Sequence, residues 1–377
     1  MIPVNTPLLE ARDLELVSEC VRGGWISSVG RFITLFEDGW AKFCGRKHGV
    51  AVANGTVALE LALKCLELAP GDEVIMPSFT IISCALAVLR HEAIPVLVDV
   101  DPDTWCMNLD QLEGRVTSRT RAIMPVHIYG HPVDMDRVET VAAHHGLAIV
   151  EDAAEAHGAE YLSQRGTARE QWRRAGSFGA VSCFSFYANK PVTTGEGGML
   201  VLDDDRLAER ARSLRNLAFG SVRRFEHEEL GYNYRMTNMQ AALGVAQLER
   251  IDRIVAKKRW VGAAYTERLK GLRGLQLPVE RPWARSVYWM YGLLVEEETG
   301  LDAERLAALL KERGIETRPF FYGLHQQPVL LKRGLFKDLD LPVTERLSRQ
   351  GLYVPSGLSL TEADIDAVCE ALGEVLR

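Results

Sequence analysis

No stretch of about 18 consecutive apolar residues occurs in the chain, so no membrane-spanning helix is expected. The first residues, Met1-Ile2-Pro3-Val4-Asn5-Thr6, lack the basic and then apolar pattern of an export signal, and a cytoplasmic protein with no membrane partner is expected. The 7 cysteines contain no Cys-x-x-Cys pair and lie scattered from Cys20 to Cys369. Their odd number and spacing argue for reduced, packed thiols rather than a disulfide framework. An excess of positive charge is also missing: Lys+Arg number 44 against 51 Asp+Glu, a net charge of −7. That balance argues against a nucleic-acid partner and leaves room for a local basic patch around an anionic ligand. No Gly-x-Gly-x-x-Gly follows a strand-like run, which weakens a dinucleotide-dependent reading.

What is present is an ordinary globular balance, 47% hydrophobic and 25% charged, spread over 377 residues. Single cores stop growing near about 250–300 residues, so one large and one smaller domain are expected. Four runs, Glu73–Pro77, Ile94–Asp99, Arg121–Val126 and Leu147–Asp152, are apolar on both faces, as strands covered by helices on both sides must be. Helical segments such as Val57–Leu68 and Asp134–His145 separate them, which predicts a mostly parallel sheet built by right-handed crossovers. Two more strand candidates, Ala180–Phe186 and Gly198–Leu202, and helices near Arg206–Asn216 and Met236–Val255 close this unit. After the Gly- and Pro-rich Gly271–Pro282, a strand at Tyr288–Val295 and helices at Ala303–Arg313 and Glu362–Leu376 suffice for a small α/β domain. The expected fold is therefore α/β: a three-layer α/β/α large domain over 1–255 and a small C-terminal α/β domain over 256–377.

Three places carry chemistry. Asn54-Gly55-Thr56 sits where a strand gives way to a helix, and unpaired amides at such a helix mouth attract an anion. The alternative there is Thr56 as a simple N-cap. Glu151-Asp152 closes a strand, and in open α/β sheets ligands collect at the carboxyl ends of strands. A carboxylate so placed can keep a proton on a heteroaromatic nitrogen, the need of a cofactor that works as an electron sink. Lys190 follows the apolar run Ser182–Ala188 and precedes Thr193-Thr194-Gly195-Glu196-Gly197-Gly198, where a desolvated amine can lose its proton and act as a nucleophile. Ser185 offers a hydroxyl nearby. His127 and His131 have a helical metal spacing, but a strand precedes and Gly130 interrupts them, so no metal site is expected. Trp25, Trp105 and Trp289 read as packing residues rather than base-stacking platforms.

Strand–Gly55-Thr56–helix, then Glu151-Asp152-Ala153-Ala154-Glu155-Ala156-His157-Gly158, then Ser185-Phe186-x-x-x-Lys190 with Thr194-Gly195-Glu196-Gly197-Gly198, resembles the DegT/DnrJ/StrS family over almost the whole chain. These are sugar aminotransferases of fold type I that use pyridoxal phosphate (PLP). The resemblance implies that Lys190 carries the cofactor and moves protons. It implies that Asp152 pairs with the ring nitrogen, Glu155 sits near the ring hydroxyl, and Gly55, Thr56 and Ser185 hold the phosphate. Asn233, in Gly231-Tyr232-Asn233-Tyr234-Arg235-Met236, is similar to the Asn that reaches the neighbouring subunit's cofactor phosphate, which implies a homodimer. Ile81 stands where the family usually stacks an aromatic residue on the ring, a departure from the pattern.

The segment Thr317–Pro328 is similar to the stretch that members acting on 4-keto sugars place near the sugar. The substrates so implied are L-glutamate and a nucleotide-linked 4-keto-6-deoxy sugar, GDP-4-keto-6-deoxymannose before a dTDP- or UDP-linked 3- or 4-keto sugar. The product would serve O-antigen and lipopolysaccharide biosynthesis. Arg318, His325, Trp25 and Arg31 are the expected sugar-nucleotide contacts. A sister branch that dehydrates such sugars has His in place of the lysine, so Lys190 favours transamination. A non-catalytic binding protein on the same fold is the competing reading, and the intact Lys190, Asp152 and Ser185 set argues against it.

Overall fold

The computed structural model describes residues 1–220 and 222–376. Seven strands form the large sheet: β1 (His48–Val52), β2 (Glu73–Pro77), β3 (Ile94–Val98), β4 (Thr120–Ile123), β5 (Ala148–Asp152), β8 (Val181–Ser185) and β9 (Gly198–Leu202). Between β5 and β8 lies a hairpin, β6 (Glu160–Ser163) and β7 (Gln171–Arg174), which no sequence pattern announced. The large sheet runs β1-β9-β8-β5-β4-β2-β3. Its pairs are parallel from β8 through β5, β4 and β2 to β3, while β9 is antiparallel to both β1 and β8.

Alternation along β9 shows why helices cover both faces. Leu200 and Leu202 enter one core with Leu59 and Leu63 of α3 (Gly55–Cys65), and Met199 and Val201 enter another with Phe36 and Trp40 of α2 (Arg31–Cys44). A side-chain period of two makes one strand serve two layers. The remaining helices of this part are α1 (Ala11–Gly23), α4 (Ser83–Leu89), α5 (Met135–His145), α6 (Asp205–Arg215) and α7 (Asn238–Leu248). The helix expected over Met236–Val255 is two, because the chain breaks after Leu248 and restarts as α8 (Ile251–Leu269).

A second, antiparallel sheet of order β10-β12-β14-β13 joins β10 (Leu275–Gln276), β12 (Tyr291–Val295), β14 (Gly351–Val354) and β13 (Arg318–Pro319). The short β11 (Ala284–Arg285) instead extends the β6–β7 hairpin. Helices α9 (Ala303–Glu312), α10 (Pro328–Leu331), α11 (Pro342–Gln350) and α12 (Glu362–Val375) complete this part. Its core gathers Val261 and Tyr265 from α8, Leu306 and Leu310 from α9, and Ile365 and Val368 from α12. Residues 255 and 256 both lie inside α8, so one helix passes from the large unit into the small one. All cysteines are unbridged and all but Cys369 are buried. No helix among the described residues is long and apolar enough to cross a membrane.

Candidate active site

At the carboxyl end of β1 the chain turns into α3. Asn54 is the N-cap, its side chain accepting from the Val57 amide at 3.0 Å. Thr56 is thereby freed from capping, and its hydroxyl lies 2.8 Å from that of Ser83. A Cβ on Gly55 would come within 2.6 Å of the Ser185 Cβ, so only glycine lets α3 approach β8 this closely. Hydroxyls of Thr56, Ser83 and Ser185 and the amino end of α3 thus line one side of a cleft of about 630 Å³. That donor set suits a phosphate.

The opposite wall carries charge. Asp152 ends β5, is buried, and accepts from the Ala154 amide at 3.0 Å and the Cys84 thiol at 3.2 Å. Burial pushes its carboxyl above the ordinary aspartate value. Neither oxygen is filled by these two bonds, so acceptor capacity remains toward the cleft. Glu155 lies just beyond β5 and accepts from the Tyr129 amide at 2.7 Å. Lys190 Nζ stands 3.5 Å from Glu155 Oε1 and 3.5 Å from the centroid of the Trp289 ring. Burial lowers the Lys190 amine from its ordinary value, opposed by the charges of Glu155 and Asp152, and lifts the Glu155 carboxyl to about 7. Burial drives both partners toward their neutral forms.

Gly55, Thr56, Ile81, Asp152, Glu155, Ser185 and Lys190 all line this cleft. Ile81 is 42% exposed there, whereas Phe79 is fully buried against Tyr129, Phe320 and Phe321 and cannot face a ligand. The sugar contacts expected from sequence are not brought to the cleft of the same chain. His325 is buried between Ser78 Oγ at 2.8 Å and Glu345 Oε1 at 3.1 Å. Arg318 is exposed on the edge strand β13 and paired with Glu316 at 2.6 Å. Arg31 makes a two-point pair with Glu19, and Trp25 is exposed after α1. Asn233 is also exposed outside the cleft, in a bridge with Asn216. His127 and His131 point to different partners, Glu151 and the Pro132 carbonyl, and share no face.

Sequence reasoning missed Ser83, Trp289, Phe321 and Tyr353, all of which line the cleft. Ser83 had a signal, a hydroxyl two residues after Ile81 at the start of a helix. Trp289 had none, since a tryptophan entering an apolar strand reads as packing.

The cleft fits PLP on its own chemistry. A glycine cradle with three hydroxyls suits the phosphate, and a buried carboxylate with spare acceptor capacity suits a protonated ring nitrogen. A desolvated lysine amine between them suits the aldehyde. Residues 7–373 match the DegT/DnrJ/EryC1/StrS aminotransferase family. The chain belongs to that family and is a PLP-dependent sugar aminotransferase acting on an amino donor and a nucleotide sugar. It is 44% identical over 376 residues to the GDP-perosamine synthase of Caulobacter vibrioides, covering 100% of this chain and 98% of the relative. It is 38% identical over 373 residues to the GDP-perosamine synthase of Escherichia coli O157:H7, covering 99% and 98%. The crystal structure of Streptomyces venezuelae DesV superposes with a TM-score of 0.89 at 36% identity, covering 97% of this chain and 95% of that one.

Proposed function

We propose that the protein transfers the amino group of L-glutamate to C4 of GDP-4-keto-6-deoxymannose, giving GDP-perosamine and 2-oxoglutarate. One observation carries the reading: the Asp152–Glu155–Lys190 cluster lies in a cleft of a chain that is similar end to end to two GDP-perosamine synthases. Bound PLP supplies the electron sink that lets the carbon bearing the amino group lose a proton. The chain's own residues do the rest. Thr56, Ser83 and Ser185 hold the phosphate, and Asp152 holds the ring-nitrogen proton. Lys190 Nζ takes the proton from the α-carbon of glutamate and, in the second half-reaction, delivers one to C4 of the sugar. Glu155 stores or returns that proton across the 3.5 Å contact.

The working unit is a homodimer in the cytoplasm, with Asn233 reaching the neighbouring subunit's phosphate from its exposed position. Arg318, Arg31 and Trp25 meet the nucleotide sugar only as contributions across such an interface, since none lines the cleft of its own chain. His325, held between Ser78 and Glu345, supports the wall rather than the sugar. The test is a panel of GDP-, dTDP- and UDP-linked 3- and 4-keto sugars offered with glutamate, scored by 2-oxoglutarate release. Preferred turnover of the GDP-linked 4-keto sugar is expected; preference for a dTDP- or UDP-linked sugar would overturn the substrate assignment, and absence of any turnover the catalytic one.

A further inference from the structure

Lys258, on α8, is 1% exposed and has no carboxylate within ion-pair distance among the described residues. Its ammonium donates instead to two backbone carbonyls, Trp289 at 2.7 Å and Ser356 at 2.5 Å. These carbonyls belong to the segments entering β12 and leaving β14. A lysine has three donors and no acceptor, so it serves here as a clamp between two strands' ends. Burying a cation without a counter-charge is costly, and the two carbonyl bonds are what offset that cost here.

What the clamp fixes is informative. The Trp289 ring covers the Lys190 amine at 3.5 Å, and its indole N–H donates at 2.8 Å to the carbonyl of Asn189, the residue before Lys190. Lys258 and Lys190 both line the same narrow cavity. The other ionisable groups acting on Lys190 are Glu155, Asp152 and His157, and none of them bonds to Lys258. We propose that Lys258 is a positioning residue for Lys190, holding the Trp289 backbone so that the indole ring keeps water from the reactive amine. The proposal rests on Lys190 being the reactive amine, but it concerns how that amine is shielded and not which sugar it serves.

The test is competitive acylation of the full chain freed of PLP, with the Lys190 midpoint read by mass spectrometry as a function of pH. It reads Lys190 directly, so its failure is distinct from a failure of turnover. In folded Lys258→Met protein the ring loosens, water reaches Nζ, and the midpoint is expected to rise by about one pH unit toward the free lysine value. An unchanged midpoint in that variant overturns the proposal. Trp289→Ala is expected to shift the midpoint in the same direction, and adding Lys258→Met to it should add nothing; a full second shift overturns action through Trp289. If Lys258→Met does not fold, Lys258→Arg keeps two donors and is expected to hold the parental midpoint, and a comparable shift there overturns the clamp.

Discussion

Glu151 and Asp152 are adjacent on β5 and both buried, yet the pleat sends them to opposite faces and to opposite fates. Glu151 accepts from the Gly176 amide at 2.7 Å, the Phe178 amide at 3.0 Å, the Ser182 hydroxyl at 2.6 Å and His127 Nε2 at 2.7 Å. The Val133 amide donates to His127 Nδ1, so the ring proton is on Nε2 and points at the carboxylate. Burial works to raise Glu151, but these donors outweigh it and its carboxyl lies below the ordinary value. Asp152 has a thiol and one amide, and burial wins. A saturated carboxylate is a structural part; a buried carboxylate left with spare acceptor capacity in a cleft is waiting for a cation. The difference separates the two residues where burial and sequence position cannot.

The contrast can be broken by substitution. The largest effect is expected for Lys190→Ala, which removes the proposed proton carrier beside Glu155: turnover of glutamate and keto sugar should fall by about 10²–10⁴-fold, measured as 2-oxoglutarate release. Next, Glu151→Gln places an amide N–H among donors that now meet a carboxylate and should cost about 1.5–3 kcal/mol in urea unfolding. Asp152→Asn should do the reverse, leaving stability within about 1 kcal/mol while lowering turnover about 10²-fold. If Asp152→Asn unfolds the protein and Glu151→Gln spares it, the assignment of roles is inverted.

A further effect concerns pH and the second buried lysine. Burial lowers Lys258 from 10.5 to about 7 in the folded chain. Between these values the unfolded state binds the extra proton, so this residue's contribution to stability rises as pH goes from about 7 to about 10. Below 7 both states are charged and the burial penalty is constant. Unfolding curves of the parent should therefore gain on those of Lys258→Met across that window. A gap that stays flat would mean that Lys258 is not desolvated.

Much of the architecture was readable because the central strands carry apolar residues on both faces, a pattern that only a doubly covered sheet requires. Glu73–Pro77 and Gly198–Leu202 appear with the bounds read from sequence. The β6–β7 hairpin escaped because Gln171-Trp172-Arg173-Arg174 is a mostly polar strand, and its partner β6 is held on the other edge by distant Ala284 and Arg285. In the site, Lys190, Asp152 and Thr56 were readable from strand ends and helix starts. The inward placement of His325 was not, because a residue type in a loop does not say which way its side chain turns. His325 turns inward to Ser78, 247 positions away in the chain, and no local pattern encodes such a partner.

Helix α8 has 19 residues and spans about 28 Å without interruption, with Ile251 and Ile254 in the core beside β9 and Val261 and Tyr265 in the core of the small sheet. A continuous helix across a unit boundary acts as a beam, not a joint. A change of acceptor is then more readily made at individual side chains on the rim than by moving one unit against the other. An engineer seeking a new acceptor should vary those rim residues first and leave the beam alone.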